Sequence, residues 1–172
     1  MRTVEFECTI AAPLETVWAF YQNVPKSIPA LMPREDQVQV ELAETPHQVG
    51  SRVIFSMRGP FGPIRWIGRY TEFVPPHAVA FGEEGRYVDE QVEGPFKSWR
   101  HAHEFEAINS HTTRIVDRIT YQPPYAPFGW LIDLFVVRPR LKKVFAHRQI
   151  VLKNLLEKPP KPVPHPSGYS NV

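Results

Sequence analysis

The sequence predicts an α+β fold: a curved, seven-stranded antiparallel sheet wrapped around a long C-terminal helix, with two short helices after the first strand. Three observations predict it. Period-two alternation recurs in segments spread from Thr3 to Tyr121. A single long stripe at helical spacing follows, made of Leu141, Val144, Phe145, Arg148, Leu152, Leu155 and Leu156. Pro- and Gly-rich breaks separate the segments and leave room for little else. A sheet with one apolar face and one long amphipathic helix must bury those faces against each other. A strongly curved sheet around a helix leaves space between them, and that space is an expected pocket.

The elements follow in order. Val4, Phe6, Cys8 and Ile10 alternate with Thr3, Glu5, Glu7 and Thr9, which predicts a half-buried strand. Pro13 suits a first helical turn, and Val17, Trp18, Phe20 and Tyr21 supply an apolar helix face. A second short helix is expected around Lys26 to Leu31, crowded by Pro25, Pro29 and Pro33. Val38, Val40 and Leu42 then share one strand face, and Val53, Phe55 and Met57 share another. Gly59 to Pro63 reads as a turn. Ile64 to Val74 reads as a strand closed by Pro75-Pro76, and Ala78 to Val92 as a further strand or bulged pair before Gly94-Pro95.

The last two strands are the clearest. Trp99, His101, His103 and Phe105 occupy one face, and Thr113, Ile115, Asp117, Ile119 and Tyr121 alternate in the next segment. Matching the apolar sets across an antiparallel pair places Phe105 opposite Ile115, His101 opposite Ile119 and Trp99 opposite Tyr121, which puts His103 opposite Asp117. After Pro123-Pro124 the chain turns helical, and Pro139 predicts a break near Val137.

Composition narrows the function. The 172 residues suit one domain, predicted to span 1–158, and the Pro-rich run over 159–172 is expected to be extended or disordered. Twenty basic against eighteen acidic residues give no electrostatic reason to expect nucleic acid. One cysteine, Cys8, allows neither an internal disulfide nor a thiolate metal cluster. The N-terminus lacks an apolar signal core, and Phe128–Val137 is too short to span a bilayer, so a cytoplasmic protein without stable membrane insertion is expected.

Several stretches resemble the lipid-transfer (START) and birch-pollen-allergen superfamily, and within it the bacterial polyketide cyclase/dehydrase-like ligand-binding (SRPBCC) branch. They are Ile10-Ala11-Ala12-Pro13-Leu14-Glu15-Thr16-Val17-Trp18, Tyr87-Val88-Asp89-Glu90-Gln91, and Gly94-Pro95-Phe96 with Trp99-Arg100-His101-Ala102-His103-Glu104-Phe105. Thr113 to Asp117, Tyr121, Pro124 and Phe145 to Arg148 complete the resemblance, which covers roughly residues 2 to 157. It implies a helix-grip fold with an internal cavity and does not imply one reaction.

Phe55, Met57, Trp66, Trp99, His101, His103, Phe105, Asp117 and Tyr121 are the expected ligand-binding residues, and His101, His103 and Asp117 the candidates for proton transfer. Two histidines on one strand face, about 6.6 Å apart along the backbone, opposite a carboxylate also fit a two-His-one-carboxylate metal pattern. Mutual hydrogen bonding of buried polar groups is the plainer reading, so neither metal nor cofactor is expected. Arg138, Arg140, Lys142, Lys143, His147, Arg148 and Lys153 make the last helix basic, which a solvated face explains. Binding or carriage of a small apolar or aromatic ligand is the first expectation, a cyclase or dehydratase the second, and a regulatory interaction module the third.

Overall fold

A computed structural model describes residues 1–59, 62–79, 82–124 and 127–157. Strands β1 (Arg2–Ile10), β2 (Gln39–Ala43), β3 (Arg52–Gly59), β4 (Gly62–Val79), β5 (Gly82–Glu93), β6 (Ser98–Asn109) and β7 (Thr112–Gln122) form one antiparallel sheet in the order β1-β7-β6-β5-β4-β3-β2. The ends of this order do not pair, so the sheet curls without closing. Helices α1 (Leu14–Gln22) and α2 (Val24–Leu31) follow β1. Helix α3 (Gly129–Ile132), a π-helical turn (Asp133–Val137) and α4 (Arg138–Leu156) run on as one C-terminal helix.

The β6/β7 register carries the four pairs that alternation predicts: Trp99–Tyr121, His101–Ile119, His103–Asp117 and Phe105–Ile115. Elsewhere the sheet is less regular. A bulge between Val40 and Leu42 throws Leu42 outward, so Val40 and Leu42 do not share a face. Strand β4 runs through Pro75-Pro76 instead of stopping there. A register shift against β5 between Val74 and His77 spares the missing N–H donors, and β3 pairs with β4 only as far as Arg69. The chain does not break near Val137. The Arg138 N–H bonds to the Asp133 carbonyl five residues back, which widens the helix one residue before Pro139. The turn tip at 60–61 and the 159–172 tail lie outside the described residues.

Gly85 is where α1 meets the sheet. It pairs with Phe105, and a Cβ there would come within 3.1 Å of the Trp18 ring and of Pro76. Trp18 packs edge-on against Phe105 at 5.4 Å. The buried interior divides into two clusters. One gathers Ile10, Val17, Tyr21, Leu31, Tyr70, Tyr87, Phe105 and Leu152. The other gathers Ile119, Tyr121, Val137, Leu141, Val144 and Phe145. Phe6 of β1 stacks flat on Phe145 of α4 at 4.1 Å, and Arg140 and Lys143 tie α4 to Asp36 and Glu35 just past α2. The outer sheet face is laced with exposed ion pairs such as Arg118–Glu5 and Arg114–Glu7, a solvated surface worth little stability.

Candidate functional site

A cavity of about 730 Å³ separates the two clusters and takes wall residues from both. Its volume falls within the range of sites for small organic ligands. The curved sheet contributes an aromatic wall: Phe55 stacks on Trp66 at 5.9 Å, Trp66 meets Trp99 edge-on at 5.3 Å, and Phe96 tilts against Trp99 at 4.8 Å. Leu141, Val144 and Phe145 of α4 face them from the helix side, with Val24, Ile28 and Leu31 of α2 beside. The exposed side chains of Glu35, Arg58 and Arg69 line it where it meets solvent.

One cluster of polar groups in the wall gathers Asp89, His101, His103 and Arg148. Period-two alternation on β6 aims His101 and His103 inward together, and their rings lie 3.8 Å apart. His101 Nε2–H donates to Asp117 Oδ1 at 2.9 Å, and His103 Nε2–H donates to Asp89 Oδ1 at 3.2 Å. His103 Nδ1 stands 2.7 Å from the same Asp117 oxygen but off the line a hydrogen bond needs. Arg148 Nη1 approaches that oxygen at 3.4 Å, with its guanidinium 4.6 Å above the Phe145 ring.

Burial disfavours charge throughout the cluster, and local partners decide where charge survives. Burial would raise Asp117, yet Arg148 and His103 outweigh it and hold the carboxyl well below its ordinary range. Burial, aided by the charge of His103, lowers His101 to about 4 and keeps it neutral. For His103 the desolvation penalty is overcome by Asp117 and Asp89, so its pKa rises and it holds a proton more firmly. The ligand atoms of Asp89, His101 and His103 lie within 4.8 Å of one another, a spacing a divalent cation could gather. Arg148 already places positive charge beside this group, 3.4 Å from Asp117.

No protein-family model and no curated protein matches the chain. Solved structures do. A START superfamily protein from Mycobacterium smegmatis superposes with TM-score 0.63 at 11% identity, covering 90% of this chain and 97% of that one. A protein from Thermus thermophilus gives 0.60 at 19% identity, over 88% and 97% of the two chains. The Zhui aromatase/cyclase from a Streptomyces species gives 0.58 at 16% identity, over 89% of each. The chain has the START-type helix-grip fold.

Within the helix grip, Phe55, Met57, Trp66, Trp99, His101 and His103 line the cavity. Phe105, Asp117 and Tyr121 do not. Phe105 is sealed in the α1 cluster, and Asp117 stands behind the two histidines it orients. Tyr121 turns away to donate to Asp133 Oδ1 at 2.5 Å, an acid that also accepts from Arg138 at 2.8 Å. Tyr121→Phe is expected to cost about 1 kcal/mol in urea denaturation, since Asp133 keeps its arginine.

Two wall residues escape a reading by alternation, Tyr21 and Arg148. The Tyr21 hydroxyl and Arg148 Nε are buried without a hydrogen-bond partner among the described residues, and both side chains line the cavity. Burial and nearby Asp117 push the Tyr21 phenol well up, so it remains a donor. A charged residue inside the apolar stripe Leu141–Val144–Phe145–Arg148–Leu152 was the available signal for Arg148. Cys8 is no nucleophile: burial, with Asp117 adding, pushes its thiol up to about 11.

Proposed function

We propose that this chain binds or carries a small lipophilic or aromatic molecule in the cavity between sheet and C-terminal helix. The observation that carries the reading is the cavity wall: aromatic and aliphatic over most of its extent, with unpaired buried donors on Tyr21 and Arg148 beside the histidine pair. Apolar walls supply affinity and a few convergent polar groups supply orientation. Buried donors without partners are costly to leave unmade, so a ligand oxygen reaching Tyr21 and Arg148 would satisfy both.

Titration with a naphthol-type fluorescent probe, read by energy transfer from the wall tryptophans Trp66 and Trp99, tests this. Saturable binding is expected, weakened about tenfold or more when Val53→Trp or Val144→Trp fills the space. Absence of saturable binding, or folded Trp variants that bind as the wild type does, contradicts it.

An enzyme of cyclase or dehydratase type is the second reading, favoured by the His101–Asp117 hydrogen bond at the cavity wall and by the fold shared with a named aromatase/cyclase. A histidine lowered to about 4 is a weak base at neutral pH, which suits orienting a ligand better than removing its proton. If there is chemistry, His103→Gln and Asp117→Asn abolish turnover of a polyketide substrate in variants that still bind the probe. Full turnover in both sinks the assignment.

A further inference from the structure

Four large apolar side chains stand in solvent between positions 128 and 135. Phe128 is 65% exposed, Trp130 57%, Leu134 45% and Phe135 70%. Such a patch on one surface segment marks an interaction site rather than chance exposure. The segment has a second face: Ile132, Val136 and Val137 line the cavity. The same stretch of helix is thus cavity wall on one side and an apolar surface on the other.

Charge identifies what that surface meets. From Gly129 to Leu156 the chain carries six Lys or Arg residues and one acid, Asp133, which is buried and bonded to Tyr121 and Arg138. Arg2 is half-exposed beside Asp133, and Lys142 and Lys143 are exposed two turns beyond Phe135. Lys143 pairs with Glu35, whereas Lys142 takes part in no ion pair among the described residues. Exposed aromatic and aliphatic side chains next to exposed Lys142 and Lys143, the former without an ion-pair partner among the described residues, match the boundary of an anionic bilayer. Rings settle there at the level between head group and acyl chain, and Lys and Arg meet lipid phosphates.

We propose that the segment from Phe128 to Lys143 is a peripheral docking surface for an anionic lipid bilayer, placed so that an apolar ligand passes between bilayer and cavity across this wall. The second clause rests on the ligand reading above; the docking does not. Among the described residues no helix is long and apolar enough to cross a membrane, so the contact is peripheral.

Co-sedimentation of the full chain with vesicles of phosphatidylcholine alone, or mixed with phosphatidylglycerol, tests the docking. Binding to the mixed vesicles is expected, falling about tenfold or more in Trp130→Ser/Phe135→Ser and falling also in Lys142→Glu or at high salt. Because these side chains are exposed, all variants should keep the wild-type melting temperature. Equal binding by wild type and double variant overturns the proposal, as does no binding to mixed vesicles. Lipid-free self-association that the double variant abolishes also overturns it, assigning the face to a second copy of the chain. A probe-binding protein that ignores vesicles refutes the docking alone, and vesicle binding by a protein that takes up no probe refutes the ligand reading alone.

Discussion

Asp117→Ala destabilises the fold by about 3–5 kcal/mol. The carboxylate is 3% exposed and is the common partner of His101, His103 and Arg148. Without it, the Arg148 guanidinium remains in the interior with its charge unopposed at close range. His103 keeps only Asp89 to favour its proton, and the His101 N–H loses its acceptor. Breaking a buried charge cluster at one member costs more than the cluster was worth, because the remaining charges stay desolvated. Equilibrium urea unfolding measures the loss. The double variant Asp117→Leu/Arg148→Met should recover much of it by replacing opposed charges with apolar volume. A loss below about 1 kcal/mol in the single variant would mean that the cluster is not holding charge inside.

Acidification from pH 6.5 to 4 removes roughly 3 kcal/mol of stability through His101 alone, and His101→Gln removes that dependence. His101 titrates near the ordinary 6.5 when unfolded but near 4 when folded. Across that window the unfolded chain binds the extra proton, so stability falls as pH falls, at about 1.4 kcal/mol per unit over some two and a half units. His103 acts with the opposite sign: its raised value gives stability that is complete below 6.5 and lost as pH climbs through that raised value. Asp117 is held well below its usual range and stays ionised in both states over most of this window, adding little slope. The expected profile peaks near the ordinary histidine value and falls on both sides. Urea midpoints across pH 4 to 8 for wild type and His101→Gln decide the matter. An acid limb equally steep in both would assign it to other groups.

The parts of the fold that were legible in the sequence are those governed by local alternation. Four facing pairs on β6 and β7 follow from a period of two and the matching of apolar residues across a hairpin. What escaped depends on neighbours distant in sequence. The bulge that turns Leu42 outward answers to the register of β3, and β4 passes through Pro75-Pro76 because no third strand flanks it there. Pro139 reads as a stop, yet a widened helical turn absorbs it. In the candidate site, alternation aims His101, His103 and Trp99 at the helix, but it cannot say that Asp89 of β5 would accept from His103 or that Arg148 would reach over from α4. Tyr121 shows the converse: it has the right parity but finds Asp133 on the C-terminal helix and is drawn away from the cavity.

Native mass spectrometry of the protein purified from its own host tests most directly whether the interior space exists to be occupied. A bound small molecule of apolar or aromatic character, present in the wild type and missing from folded Val144→Trp, is the predicted result. Wild-type protein that flies with its bare chain mass, and whose melting temperature no lipid or aromatic compound raises, would contradict it.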